Sequence, residues 1–311
     1  MISQVYRLAI FVTLLYYLIM KFCNECPRSC GVNRKEGCGW CKVPSKFKIA
    51  KIMLHPYEEP TISGTGGAGA IFFAGCSLGC IYCQNYEISS GKVGELFTKE
   101  QLIDAIKDLE KRGASCIDLV TPTHYTDELI DVFDRYKPSV PIVWNSSGYE
   151  TVEEIEKLKD VVDVYLVDFK YATEEAGRLS LAPNYFEVAT QAILQMRRNQ
   201  PKDVIEDGVM QKGVIVRHLV LPGLVENSKL VLDWVAKNLG ANTIVSLMSQ
   251  YTPTERVASH PLLFRNLKPI EYKSVVSYAE KLGFDNAFVQ DMDSSSEKYI
   301  PDFLSNNDFK K

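Results

Sequence analysis

The stretch Ala70–Asn85, "AIFFAGCSLGCIYCQN", joins a short apolar run to three cysteines spaced Cys76-x3-Cys80-x2-Cys83. The run "AIFFAG" has the length and continuity of a buried strand. Three thiols are one too few for a closed zinc site, and an electron-transfer cluster would ordinarily add a fourth cysteine. Thiolates on a short loop can instead each bond one iron of a cubane cluster and leave the last iron without a protein ligand. Gly79, beside Cys80, is expected to let this loop curl, with its backbone N–H groups available to cluster sulfides. Cys116 could complete a set of four, but it opens another predicted core strand, where a buried free thiol is common.

Working outward, "CIDLVT", "PIVWNSS", "VVDVYLVDF", "GVIVRHLVL" and "TIVSLM" read as further buried strands. Amphipathic helical stretches separate them. In "TKEQLIDAIKDLEKRG", Thr98 and Gln101 form a capping-box pattern, Leu102, Ala105, Ile106 and Leu109 share a face, and Gly113 ends the helix. Thr151 and Glu154 repeat the capping pair. Continuous apolar strands alternating with helices predict an α/β fold with a parallel sheet, as a Rossmann-like sheet or a full or partial barrel. In either case chemistry belongs at the C-terminal ends of the strands, where the cysteine triplet lies. The glycines of "SGTGGAGA" precede a strand instead of joining strand to helix, so they read as a turn or close packing.

The chain has 311 residues, 46% apolar and 24% charged, with net charge −4. These values fit a soluble globular protein and argue against a large nucleic-acid footprint. Eight of its nine cysteines lie before residue 84 in tight clusters, a pattern of metal sites in a reducing compartment more than of disulfides. Cytoplasm is the expected location. The apolar run Leu8–Met20 spans roughly 20 Å at about 1.5 Å per residue, short of a bilayer core. It reads as an upstream extension with Met20 as the natural start, with a membrane anchor or docking helix as alternatives. The expected organisation is an apolar extension (1–22), a cysteine-rich knuckle and connector (23–66), the main α/β unit (67–295) and a tail (296–311).

The triplet with an aromatic before its last cysteine, directly after a first strand, resembles the radical S-adenosylmethionine (SAM) superfamily. "CNECPRSCGVNR", "ISGTGGAGAIFFAGCSLGCIYCQN", "VTPTHY", "NSSGYE", "VDFKY", "VRHLVLPG" and "SLMSQYTP" further resemble the pyruvate formate-lyase-activating-enzyme-like branch. That resemblance implies a partial (β/α)6 barrel of radical SAM type with an N-terminal cysteine-rich knuckle, open on one side. It implies a [4Fe–4S] cluster on Cys76, Cys80 and Cys83, and SAM chelated at the open iron. SAM would be split reductively to give a 5′-deoxyadenosyl radical for hydrogen abstraction, with a flavodoxin- or ferredoxin-type electron donor. The implied activity is activation of a glycyl-radical enzyme, or modification of another peptide, a small molecule or RNA, with RNA disfavoured by charge. A non-catalytic iron–sulfur or zinc-organised protein is the alternative of a different class.

Tyr82 matches the family's adenine-packing aromatic. Asp168 and Lys170 resemble its fourth-strand Asp-x-Lys near the methionine part of SAM, and Arg217 resembles the fifth-strand arginine that reaches SAM. A guanidinium suits a carboxylate through paired donors. Asn145 and Ser146 are ribose or carboxylate candidates. The family's Gly-Gly-Glu-type segment is replaced by "VTPTHY", where Thr121, Thr123 or His124 could substitute, and Gln250 and Tyr251 stand where a histidine is expected. His124 and His218 are candidate proton donors or substrate contacts. His55, Glu58 and Glu59 in "HPYEEP" read as a solvated turn. In the knuckle, Cys23, Cys26, Cys30 and Cys41 are the expected ligands of a second site, zinc or an auxiliary iron–sulfur cluster, with Cys38 as the extra thiol.

Overall fold

The computed structural model describes residues 22–292 together with Phe303 and Phe309. The apolar run Leu8–Met20 lies outside them. Among the described residues, no helix is long and apolar enough to cross a membrane.

The described strands are β1 (Phe47–His55), β2 (Ala68–Phe73), β3 (Glu95–Phe97), β4 (Cys116–Val120), β5 (Ile142–Ser146), β6 (Val164–Asp168), β7 (Val204–Glu206), β8 (Val209–Leu219), β9 (Ile244–Met248) and β10 (Phe288–Val289). They form one sheet in the order β10-β9-β8-β6-β5-β4-β2-β1-β3, with β7 paired to β8. The run from β2 to β10 is parallel, and β1 and β7 are antiparallel additions. The six strands expected from sequence are β2, β4, β5, β6, β8 and β9. Edge strands β3 and β10 do not pair with each other, so the barrel is partial and open. Within the expected connector, Phe47–His55 instead forms β1 along the whole of β2.

Period-two alternation sorts the strand residues onto two faces. Ile117, Leu119, Trp144, Val167, Val216 and Leu247 join the large core under the helices. On the other face, Cys116, Val143, Leu166, Ile215 and Ile244 form a smaller apolar cluster plugged by Ile62. Continuing along that concave face, the same alternation delivers Asp118, Asn145, Asp168, Arg217 and Ser246. Asp168, Arg217 and Ser246 stand side by side in register across β6, β8 and β9. The interior is thus apolar below and polar toward the C-terminal ends of its strands.

Both helix readings hold locally. Helix Lys99–Lys111 begins with the full Thr98–Gln101 capping box and buries Leu102, Ala105, Ile106 and Leu109. Thr151 caps Val152–Lys157 through the Glu154 N–H, while the Glu154 carboxylate pairs with Lys157. The glycine-rich stretch serves close packing. A Cβ on Gly66 would sit 1.9 Å from the Gly113 carbonyl oxygen, and that neighbour is backbone. Gly66→Ala is therefore expected to destabilise the fold by about 1–3 kcal/mol, as overpacking does. Urea denaturation checks this, and an unchanged midpoint would contradict the packing role.

Candidate active site

The cysteine loop leaves β2 through Gly75 and is fixed mainly by backbone contacts. Gly75 has φ +85°, and a Cβ there would lie 2.6 Å from the Cys41 carbonyl oxygen. The Gly79 N–H donates to Ser180 O (2.8 Å) and the Ile81 N–H to Leu179 O (2.9 Å). Gly79 has no positive φ and its own N–H is already used, so it contributes neither a left-handed turn nor a free donor to the loop. Its smallness instead admits the Trp40 ring, 3.2 Å from where a Cβ would stand.

Two adjoining cavities, of about 390 and 520 Å³, open over this loop. Cys76, Cys80 and Cys83 line the smaller one, with Asn145, Ser146, Asp168, Lys170 and Arg217. The larger also reaches Cys80 and Cys83 and is walled by strand residues from His55 on β1 and Phe72 on β2 to Met248 on β9 and Phe288 on β10. Tyr82 lines this larger cavity. It is 5% exposed, its hydroxyl lies 2.5 Å from that of Tyr171, and its ring meets Tyr251 edge-on. Burial pushes the Cys76 and Cys80 thiols up to about 12, with the Lys170 ammonium pulling both the other way.

Beside the thiols lies a buried ionic network. Asp168 accepts from Lys170 Nζ (2.6 Å) and Arg217 Nε (2.8 Å). Burial opposes its charge, but Arg217 and Lys170 hold the carboxyl below the usual range. Arg217 also donates to Asn145 Oδ1 (2.5 Å) and Glu58 Oε2 (3.0 Å). Although burial disfavours the guanidinium, Asp168, Glu59 and Glu58 raise its pKa. The solvated-turn reading of "HPYEEP" is thereby corrected: Glu58 and Glu59 point into the larger cavity. Pro60 at the first helical position turns the chain so that they enter from below.

Other candidates resolve differently. His124 bonds Ala74 O (2.9 Å), while His218 bridges Phe169 O (2.7 Å) and Ser228 Oγ (2.8 Å). Both are 1% exposed and line neither cavity, so they are structural. Thr123 and Ser146 hold the buried carboxylate of Glu150, which Trp144 also contacts. Thr121 remains at the cavity in left-handed backbone (φ +60°), a conformation uncommon for a β-branched residue. Cys116 is fully buried, at the end of the sheet opposite the triplet, and donates to Ile62 O.

The sequence profile of the Radical SAM superfamily matches residues 70–234. This chain belongs to the radical SAM superfamily. An uncharacterized protein of Methanocaldococcus jannaschii is 32% identical over 279 residues, 86% of this chain and 77% of its own. A Haemophilus influenzae protein, named provisionally as a glycyl-radical enzyme activating enzyme, is 28% identical over 116 residues, 35% of this chain and 43% of that one. The crystal structure of methylornithine synthase is similar in fold, with TM-score 0.50 and 16% identity over 69% of this chain. This chain spans 60% of that structure. The radical SAM protein is accordingly an enzyme, its cofactors are a [4Fe–4S] cluster and SAM, and its chemistry begins with reductive SAM cleavage.

The residues present fit those cofactors. Among the described residues, no three His, Cys, Asp or Glu side chains could hold a single metal ion. Ligands on separate corners of a cubane stand farther apart than ligands around one ion, so the triplet suits a cluster. Among the described residues, no fourth cysteine lines either cavity.

The sequence reading passed over the knuckle's basic and aromatic residues, which bind it to the cysteine loop. Arg28 lies 3.8 Å over the Trp40 ring and donates to Ser77 O (2.8 Å) and Leu181 O (2.6 Å). Trp40 Nε1 donates to Leu78 O (3.2 Å). Arg34, 4% exposed, pairs with Glu25 (3.1 Å) and donates to the Pro44 and His124 carbonyls. "CPR" and "VNR", arginines embedded among cysteines, were the available signal. The thiols of Cys23, Cys26, Cys30 and Cys41 influence one another electrostatically, and the Trp40 N–H donates to Cys30 Sγ (3.2 Å). Cys38 is exposed.

Proposed function

We propose that this enzyme abstracts a hydrogen atom from a peptide or protein segment entering the open side of the barrel, in the manner of glycyl-radical activating enzymes. The observation that supports this most is the larger cavity, which runs from the end of β1 across the concave face to the edge strand β10 and reaches Cys80 and Cys83. The partial match to the Haemophilus protein agrees with it. Cys76, Cys80 and Cys83 hold three irons. When bound, the cluster would supply the electron, drawn from a flavodoxin- or ferredoxin-type donor, for the reductive SAM cleavage from which hydrogen abstraction follows.

The chain's own residues bind and orient. Arg217 offers its guanidinium to the SAM carboxylate, Asp168 and Lys170 hold the methionine part, and Asn145 faces the ribose or carboxylate, while Ser146 is engaged by Glu150 and drops out of the set. Tyr82, fixed by Tyr171 and Tyr251, packs near adenine. A second reading, the same chemistry on a small molecule, is favoured by the size of the cavity, about 520 Å³, within the usual range for small ligands.

Deuterated cell extract, split into protein and small-molecule fractions, separates the two. Deuterium should pass into 5′-deoxyadenosine from the protein fraction. Transfer from the small-molecule fraction alone would refute the peptide reading.

Cys23, Cys26, Cys30 and Cys41 form the donor set of a second centre in the knuckle, an iron–sulfur cluster in preference to zinc, since no three ligating side chains among the described residues could hold a single ion. Elemental analysis of purified variants should show Cys41→Ala losing that metal and Cys38→Ala keeping it. Equal metal content in the two variants would contradict this ligand set.

A further inference from the structure

Glu58 and Glu59 enter the larger cavity as two carboxyl groups with a single cationic donor between them. Arg217 gives Nε to Asp168 and Nη2 to Asn145, so Nη1 alone serves both glutamates, 3.0 Å from Glu58 Oε2 and 3.8 Å from Glu59 Oε2. The Glu59 side chain is 6% exposed, and its Oε2 has no hydrogen-bond partner. A buried carboxylate oxygen left this way costs stability until something donates to it. The other charged groups near this pair do not help. Lys170 is committed to Asp168, and Asp118, whose carboxyl is pushed up by burial and by Glu58, supplies no positive charge. His55, on the cavity wall, is kept neutral by burial, which lowers its pKa. A metal ion does not fit, since no three ligating side chains gather there among the described residues.

We propose that Glu58 and Glu59 form a substrate subsite for a protonated amine or guanidinium group, carried by the molecule that enters the open side of the barrel. The assignment rests on placing the substrate in the larger cavity and deepens it. The cation donates to Glu59 Oε2 and shares Glu58 with Arg217. Seated there, it anchors the substrate beside Arg217 and leaves the remainder to extend past Cys80 and Cys83. Phe72 and Tyr57 flank the approach and suit the apolar stem of such a group.

The test uses anaerobically reconstituted holoenzyme saturated with SAM. SAM cleavage under dithionite is measured first, so that failure of the underlying function is seen separately. Calorimetry then compares agmatine with neutral N-butylurea, and the peptide Gly-Gly-Arg-Gly-Gly with its citrulline counterpart. The cationic probe of at least one pair should bind roughly tenfold or more tightly, as charge-assisted pairing allows. That preference should vanish in the conservative Glu58→Gln/Glu59→Gln protein, or in Glu59→Gln if the double variant does not fold. Preference only for agmatine marks a free small molecule, and preference only for the arginine peptide marks a peptide side chain. Absence of any preference in an enzyme that cleaves SAM, including failure of every probe to bind, overturns the subsite. So does a preference that survives the substitutions.

Discussion

Cys80→Ala is expected to reduce 5′-deoxyadenosine formation to the level of an enzyme-free control while leaving the fold intact. Cys80 lines both cavities, which also share Asn145, Asp168, Lys170 and Arg217, the residues proposed to hold SAM. Cys116 cannot take over its role, because it is buried at the opposite end of the sheet. The loop itself should survive. Its contacts at this point are backbone ones, from Gly79 and Ile81 to 179–180 and from Arg256 to the Cys80 carbonyl (3.1 Å). Chromatography of the anaerobic reaction, with circular dichroism on the same sample, checks both halves. Undiminished 5′-deoxyadenosine from the variant would remove Cys80 from the site.

Arg217→Ala should be the most damaging change among the polar residues. It removes the shared partner of Asp168, Glu58 and Glu59, and breaking a buried pair from one side costs about 3–5 kcal/mol. SAM affinity should fall about a hundredfold or more, the scale for truncating one member of a buried charged pair, while iron content changes little. Equal SAM affinity in both proteins would take Arg217 out of the pocket.

The loss also carries a pH signature. Burial pushes the Glu59 carboxyl up to about 7, against the pull of Arg217. A carboxyl with a raised folded pKa binds more protons in the native state, so its contribution to stability falls as pH rises through that window. Without Arg217 the glutamates are held up further, and the penalty grows with pH. Denaturation should therefore show a smaller Arg217→Ala destabilisation at pH 5 than at pH 8. A penalty independent of pH would contradict the shared-cation account.

How much of this was legible in the sequence differs from element to element. The six main strands were visible because parallel strands buried on both faces read as unbroken apolar runs, and the capping pair at Thr98 is a local signal. β1 was not, since Lys48 and Lys51 interrupt it and its partner lies across the glycine-rich turn. β10 is two residues long and exists by pairing with β9. Cys76, Cys80 and Cys83 announce themselves by spacing. Asp168 and Arg217 came from resemblance, though alternation on β6 and β8 independently puts them on the concave face. Glu58 and Glu59 were misread because an acidic pair between prolines normally faces water. What turns them inward is the plug of Pro60–Ser63 beneath the sheet, a tertiary placement that no local pattern encodes.

The arrangement as a whole depends on SAM meeting a cluster held by three protein thiols. The most direct measurement is pulsed EPR of the reduced, reconstituted enzyme with SAM labelled by nitrogen-15 at its amino group and oxygen-17 at its carboxylate. The account predicts hyperfine coupling from both labels to the cluster in wild-type protein. SAM that binds tightly but shows no coupling from either label would contradict it.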